Sequence, residues 1–442
     1  MKFFADLHLH SKYSRATSKD LTIPNLDKYA RIKGLNLLGT ADFTHPDWIA
    51  ELKQYLHEDG TGIPKSANGM SYVFQTEVSS IYTQDGKGRR VHNIILAPSF
   101  EIVGQINAHL AKKGNLRSDG RPIIGRYPCC DMVEDLKKIS DDIEIIPAHI
   151  WTPWFSVFGS MSGFNSIEDC FKDQAKHIYA LETGLSSDPA MNWRLSQLDR
   201  FTLISNSDSH SFWPWRIGRE CNIFDFKEPT YKNLIGALRQ KNPKEFLGTV
   251  EVNPAYGKYH VDGHRLCNIS MEPKETKKHN GLCPVCGKPL VIGVLNRVEE
   301  LADRLEGYTP KNAIPFYTML PLSEVIANAL GGGAVSSKKV WAVFDVLIRK
   351  FGNEFNVLMD APREELEKVV EPKIADIIMK NRVGAIQVKP GYDGVYGVPI
   401  IDGVGRVFNE DEINNEVDGA ENKSKNNQKK PQKSLIEFKK SV

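Results

Sequence analysis

The sequence predicts an α/β protein: alternating strands and helices over residues 1–254, a small zinc-binding module over 255–297, a helical region over 298–408 and a disordered tail over 409–442. Three observations predict it. Apolar runs of strand length alternate with amphipathic stretches through the first 250 residues. Cys267, Cys283 and Cys286 crowd together, the last two in C-x2-C spacing, whereas the other cysteines are scattered. From Asn409 to Lys433 there is no aromatic residue, and Asn, Asp, Glu and Lys dominate, a composition that cannot bury a core.

The strand-like runs are FFADL (3–7), LNLLGTA (35–41), YVFQT (72–76), VHNIILA (91–97), IEIIPA (143–148), IYALE (178–182) and FTLIS (201–205), with helical stretches such as LDKYARIKG (26–34) and DMVEDLKKISDD (131–142) between them. This is the pattern of β-α units building a mostly parallel sheet or barrel. FFADL leads into Asp6, His8 and His10, LNLLGTA into Asp42 and His45, and YVFQT into Glu77. His92 opens the next strand, IEIIPA delivers His149, IYALE ends on Glu182, and FTLIS leads to Asp208 and His210. In β/α barrels the reacting groups sit at the C-terminal ends of strands, so these side chains are expected to converge on one mouth. Glu182 reads equally well as a rim charge or a functional group. Imidazole with carboxylate suits zinc, manganese or iron, and about ten such groups exceed the roughly four to six positions around one ion. Two or three divalent metals (Zn, Mn or Mg) are expected, and closely spaced metals clamp the attacking and leaving oxygens of a phosphoryl displacement. A phosphoesterase follows, with Asp208, Glu77 and His149 as its central catalytic candidates.

The strings DLHLHS (6–11), GTADFTHP (39–46), QTEVSS (75–80), HNIILA (92–97), PAHIWTP (147–153) and SNSDSHS (205–211) resemble the ordered motifs of the polymerase and histidinol phosphatase (PHP) superfamily. The resemblance implies a distorted seven-stranded β/α barrel with a trinuclear metal centre that cleaves phosphate esters. Matched motif by motif, His8, His10, Glu77, His92, His149, Asp208 and His210 are the implied ligands. In the second motif many members have Asp-His adjacent; here Asp42 is followed by Phe43 and Thr44, so either Asp42 takes that place or His45 reaches back. Where many members carry a further His past the H-x-H pair, this chain has Ala16.

Beyond the first domain, Cys267 and the Cys283–Cys286 pair, with His264 preferred over His260 and His279 as fourth ligand, have zinc-ribbon spacing, and four protein ligands make a structural zinc site. The helix signals that follow are 295–305, 322–330, 336–352, 363–370 and 372–382; GGGAVSSKKVW (331–341) resembles one half of a helix-hairpin-helix pair or, equally, the start of a helical lid. In the tail, Gln432, Leu435 and Phe438 fit the peptide, here 432–439, with which partners engage a PCNA-like sliding clamp, although Lys439 replaces the usual second aromatic. The formal net charge is +2, but an acidic block over 409–422 and a basic one over 423–442 cancel within the tail, so neutrality excludes no DNA partner. No apolar run reaches the ~18 residues needed to span a bilayer, and the expected location is the cytoplasm.

The order of these parts, with GTADFTHPDW (39–48), YGKYHVDGH (256–264), CPVCGKPLVIGVLNRVEELADR (283–304) and PGYDGVYG (390–397), is similar to the endonuclease Q family of archaeal and some bacterial DNA repair enzymes. That resemblance implies double- and single-stranded DNA with damaged bases as partner, and hydrolysis of the phosphodiester 5′ to uracil, hypoxanthine, xanthine or an abasic site. An enzyme that selects a damaged base must expose it. The loops after His149 and His210 hold Trp151, Trp154, Phe155, Trp213 and Trp215, which either wall a flipped nucleotide or pack the rim. The competing readings are a small-molecule phosphatase, a non-catalytic clamp adaptor and a polymerase-associated exonuclease.

Overall fold

The computed structural model describes residues 2–401 and 404–405. The expected tail and its clamp peptide lie outside the described residues. The strands that position the site are β1 (Lys2–Asp6), β2 (Leu37–Gly39), β3 (Ser71–Gln84), β4 (Lys87–Ala97), β5 (Glu144–Pro147), β6 (Ala180–Glu182), β7 (Thr202–Ile204), β8 (Cys221–Asp225), β9 (Phe246–Glu251) and β10 (Phe316–Thr318). One large sheet runs β10-β9-β8-β1-β2-β3, with β4 on β3 and β5 on β4, while β6 and β7 form a separate parallel pair. Ile150 N–H donates to Glu182 O at 3.0 Å and Leu7 N–H to Asn206 Oδ1 at 2.8 Å, tying the pair's ends to the loop after β5 and to β1. Among the described residues no helix is long and apolar enough to cross a membrane.

The fold is mixed α/β, and its sheet is mixed rather than mostly parallel. β1–β2, β2–β3 and β9–β10 run parallel; β1–β8, β8–β9, β3–β4 and β4–β5 run antiparallel. The reason is local at β3–β4. Asp85 and Gly86, at φ 52° and 72°, make a two-residue turn with both central residues left-handed, which folds the chain directly back on itself. The resulting hairpin is long, so Glu77 and His92 sit in mid-strand, Glu77 opposite Ile94 and Ser79 opposite His92, and not at strand ends as expected.

Ala5, Leu37, Val73, Ile94, Ile146, Ala180, Ile204, Phe224 and Phe246, one from each of β1 to β9, belong to a single buried cluster. Each large apolar side chain so removed from water contributes about 1.5–3 kcal/mol.

In the 255–297 segment, strands Asp262–His264 and Ile269–Met271 pair antiparallel and precede helix Pro273–Lys278. The distant PGYDGVYG string closes onto this segment. Gly391, Gly394 and Gly397 donate their N–H groups to Ala255, Lys258 and Tyr256 carbonyls at 2.8–3.0 Å. A Cβ on Gly397 would stand 2.1 Å from Ala255 O, so only glycine permits that approach.

Helices α1 (Ile23–Lys33), α2 (Leu322–Ala329), α3 (Lys338–Phe351) and α4 (Pro372–Arg382) belong with the strands to one compact unit, residues 1–407. α3 buries Val340, Phe344 and Leu347, the i, i+4, i+7 stripe of an amphipathic helix. Phe355 stacks on Phe4 at 4.3 Å, and the ammonium of Lys33, at the end of α1, reaches Glu354 Oε1 at 2.6 Å.

Candidate metal centre

The H-x-H pair follows β1, and its two rings are aimed by carboxylates behind them. His8 Nδ1 lies 3.0 Å from Glu182 Oε1, and Glu182 also accepts from Asn206 Nδ2 at 2.8 Å and from the His149 N–H at 2.8 Å. His10 Nδ1 lies 3.1 Å from Asp42 Oδ1, whose other oxygen accepts from Ser11 N–H at 2.6 Å and Ser14 Oγ at 2.8 Å. A carboxylate on Nδ1 leaves Nε2 as the outward-facing ligand atom, the usual arrangement behind a metal-binding histidine. Glu182 and Asp42 thus stand behind the cluster.

Glu77 is the hub. Its Oε1 is 2.8 Å from His92 Nδ1 and 3.1 Å from His149 Nε2; its Oε2 is 3.3 Å from His10 Nε2 and 3.0 Å from Arg121 Nη1. Burial pushes this carboxyl up, but the charges of His92, Arg121 and His8 outweigh burial and hold it well below the usual carboxylate range. Asp208 is likewise pushed up by burial and held well below its ordinary value by His8 and His10. Burial pulls His8 down, yet Glu182, Asp208 and Glu77 carry it well above the ordinary imidazole range. Asp208 and His149 both have non-glycine left-handed backbone, φ 47° and 31°, a strain that collects at sites where surrounding structure dictates side-chain direction. For the loop that carries Asp208 and His210, that structure includes Asp6, which accepts from the N–H groups of Ser207 and Gly218 at 3.1 and 2.8 Å.

Among the described residues this part of the chain brings together three donor groups: His8, His10 and Glu77; His10, Asp208 and His210; and Glu77, His92 and His149, the ligand atoms of each lying within 4.8 Å of one another. They fit divalent cations. His8 Nε2, His10 Nε2 and Asp208 Oδ1 are buried and make no aligned hydrogen bond, although His10 Nε2 stands 2.9 Å from Asp208 Oδ1. Buried polar atoms left this way are costly unless a cation satisfies them. A fourth group, His264, Cys267, Cys283 and Cys286, meets the same 4.8 Å limit; His260 and His279 lie outside it.

The expected site residues therefore divide. His8, His10, Glu77, His92, His149, Asp208 and His210 are brought together. Asp42 serves His10 from behind, and His45 is turned away, its ring stacked 4.3 Å from that of Tyr13 at the start of helix Pro46–Tyr55. The aromatic loops also part company. Trp151 is buried, its Nε1–H donating to Asn192 Oδ1 at 2.8 Å. Trp213 and Trp215 stack at 4.9 Å, and Trp341 of α3 sets its edge against both at 5.8 Å, so these two pack against the helical region. Phe155 faces the cluster, its ring 4.7 Å from His92, and Trp154 packs its edge on Tyr259. Arg121 went unread because it lies in a loop with no periodic pattern; its signal was the short SDGRP string (118–122).

Comparison with known proteins gives a consistent picture. The family described as MJ0043 C-terminal domain matches residues 321–385, which contain α2 to α4. The uncharacterised protein MJ0043 of Methanocaldococcus jannaschii is 35% identical over 253 residues, 56% of this chain; the match spans about a third, 31%, of that relative's length. The uncharacterised protein YqxK of Bacillus subtilis is 30% identical over 415 residues, 90% of this chain and 98% of the relative. Among solved structures, the lesion-specific endonuclease PfuEndoQ of Pyrococcus furiosus superposes with a TM-score of 0.81 at 32% identity, covering 90% of this chain and 95% of that one. Endonuclease Q in complex with a 27-mer duplex carrying an abasic lesion at the active site also gives 0.81 at 32% identity, over 93% of this chain and 100% of the other. With 95–100% of these solved relatives covered at 32% identity, the chain belongs to the endonuclease Q family.

Proposed function

We propose that this chain is a metal-dependent DNA repair endonuclease that hydrolyses the phosphodiester 5′ to a deaminated base (uracil, hypoxanthine or xanthine) or an abasic site. The observation that carries the reading is the set of three overlapping imidazole–carboxylate groups, sharing Glu77 and His10, in a chain that superposes on a duplex-bound relative over nearly its whole length. Two or three divalent ions would be held by His8, His10, Glu77, His92, His149, Asp208 and His210. When bound, they supply Lewis acidity and charge neutralisation at the scissile phosphate.

The protein's own contribution is preorganisation. Glu182 and Asp42 set the orientation of His8 and His10, Thr152 Oγ1 stands 3.2 Å from His149 Nδ1, and Asp208 remains ionised at the centre of the cluster. A separate, structural zinc on His264, Cys267, Cys283 and Cys286 would hold the module that the PGYDGVYG turn closes. Trp154 and Phe155 are the aromatics available to a flipped nucleotide. The tail peptide, with Gln432, Leu435 and Phe438, would recruit a sliding clamp.

End-labelled duplexes with a single uracil, hypoxanthine or abasic site, incubated with Mg²⁺, Mn²⁺ or Zn²⁺, test this. The expected product is a nick on the 5′ side of the lesion, lost in Asp208→Ala. An unaltered duplex, or cuts on the 3′ side, would sink the reading.

A further inference from the structure

We infer that Arg121 is a catalytic residue whose guanidinium grips the phosphate being cleaved; the inference rests on the phosphodiesterase reading above and names a further group of the same site. Its backbone is fastened on both sides to the segments that carry the donor groups. Gly120 N–H donates to Tyr13 O at 3.0 Å, Thr44 Oγ1 donates to Gly120 O at 3.2 Å, and Ser79 N–H donates to Pro122 O at 3.0 Å. Tyr13 follows the H-x-H pair, Thr44 follows Asp42, and Ser79 lies two residues past Glu77. A Cβ on Gly120 would meet Asp42 Oδ2 at 2.2 Å and Ser14 Oγ at 2.3 Å, so the loop is pressed against the carboxylate that aims His10. Pro122 restricts the conformation of the residue before it. Arg121 is placed as firmly as the ligands are.

Its side chain is half-buried, 27% exposed, and among the described residues it makes one side-chain hydrogen bond, Nη1 to Glu77 Oε2 at 3.0 Å. A guanidinium carries five N–H donors in a rigid fork that matches phosphate oxygens. Among the described residues, most of that fork is unspent.

Charge balance gives the fork an anion to seek. The cluster holds Glu77 and Asp208, with Asp42 and Glu182 behind, and two or three divalent ions would already match or exceed those four carboxylates. A further fixed cation touching Glu77 is then balanced only when another anion arrives. In a phosphodiesterase that anion is the substrate, whose equatorial oxygens gather charge as the leaving oxygen departs, and arginine is well suited to hold them. No proton moves to or from Arg121 in this role.

The test compares wild type with Arg121→Ala and Arg121→Lys under single-turnover conditions, on the abasic duplex and on bis(p-nitrophenyl) phosphate with Mn²⁺. Bound metal per chain is measured in parallel. The alanine variant should keep its metal and lose about 10²–10³-fold in rate on both substrates, as expected for losing a charge-stabilising donor. The lysine variant should fall between, since it keeps the charge without the fork. Added millimolar guanidinium should restore the alanine variant but not the lysine one.

A rate for Arg121→Ala within about threefold of wild type, far below what such a donor supplies, would overturn the inference. So would a loss that tracks lost metal and resists guanidinium, because Arg121 would then merely hold Glu77. Wild type that cleaves the simple diester but not the lesion duplex would sink the lesion reading while leaving Arg121 to be judged on the diester; wild type inert to both would overturn both.

Discussion

Replacing Glu354 by alanine should destabilise the chain by about 3–5 kcal/mol, the range for removing one partner of a buried ion pair. Lys33 is 1% exposed and Glu354 is fully buried. The Lys33 ammonium donates to Glu354 Oε1 at 2.6 Å and to Pro214 O at 2.8 Å, and the same Oε1 accepts from the Leu322 N–H at 2.9 Å. The substitution therefore leaves a buried ammonium with one carbonyl and strips the first turn of α2 of an acceptor. The double variant Lys33→Met/Glu354→Leu removes the stranded charge and leaves chiefly the Leu322 N–H unsatisfied, a cost of about 1–3 kcal/mol. It should be more stable than Glu354→Ala alone. Urea unfolding followed by tryptophan fluorescence is the assay, because Trp213, Trp215 and Trp341 meet across this joint and their emission reports its opening. A cost below about 1 kcal/mol for Glu354→Ala, or a double variant as damaged as the sum of its singles, would refute the idea that this pair carries a strong coupling between the helical region and the strand domain.

Three further outcomes follow from the geometry. Glu182→Gln, which keeps the shape but weakens the hold on His8 Nδ1, should lower metal affinity about 10–100-fold, read by competition with a chelator. Cys283→Ser should abolish the chelator-resistant zinc of the 255–297 module while the histidine–carboxylate ions remain, read by metal analysis before and after dialysis. His260 is held down to about 4 by burial, so the unfolded chain takes up its proton near pH 6.5 before the folded one does. Its contribution is intact above pH 6.5 and is lost as pH falls toward 4, by at most about 3 kcal/mol. Urea melts across that window should show His260→Phe less sensitive to acid than wild type; equal slopes would contradict the assignment.

Much of the candidate centre was legible because its donor residues are tied to short local spacings. An H-x-H pair after a strand and a D-x-H pair after another announce themselves in any register, and C-x2-C with Cys267 and His264 does the same for the module. Glu77 and His92 were legible as residues but misplaced, because the Asp85–Gly86 turn that carries β3 and β4 past the site was not read as a hairpin. The second motif leaves Asp42 and His45 open as alternatives; the fold bonds the Asp42 oxygens to His10, Ser11 and Ser14 and stacks His45 on Tyr13. Trp213 and Trp215 read either as pocket walls or as rim packing in a loop beside His210; the partner that the fold gives them, Trp341, lies over a hundred residues away, where no pattern points back.

What the sequence by itself determined is the chemistry available: imidazoles and carboxylates at the ends or middles of apolar strands, a thiolate cluster, helices with one apolar face. These follow from side-chain type and from periods of two, three or four residues, which depend only on neighbours. The tertiary structure alone decided which carboxylates join the donor groups and which stand behind the histidines, that Arg121 stands 3.0 Å from Glu77, and that Lys33 meets Glu354. Those outcomes depend on packing between segments far apart in the chain, where burial makes each unpaired charge costly and so forces partners that local sequence cannot name.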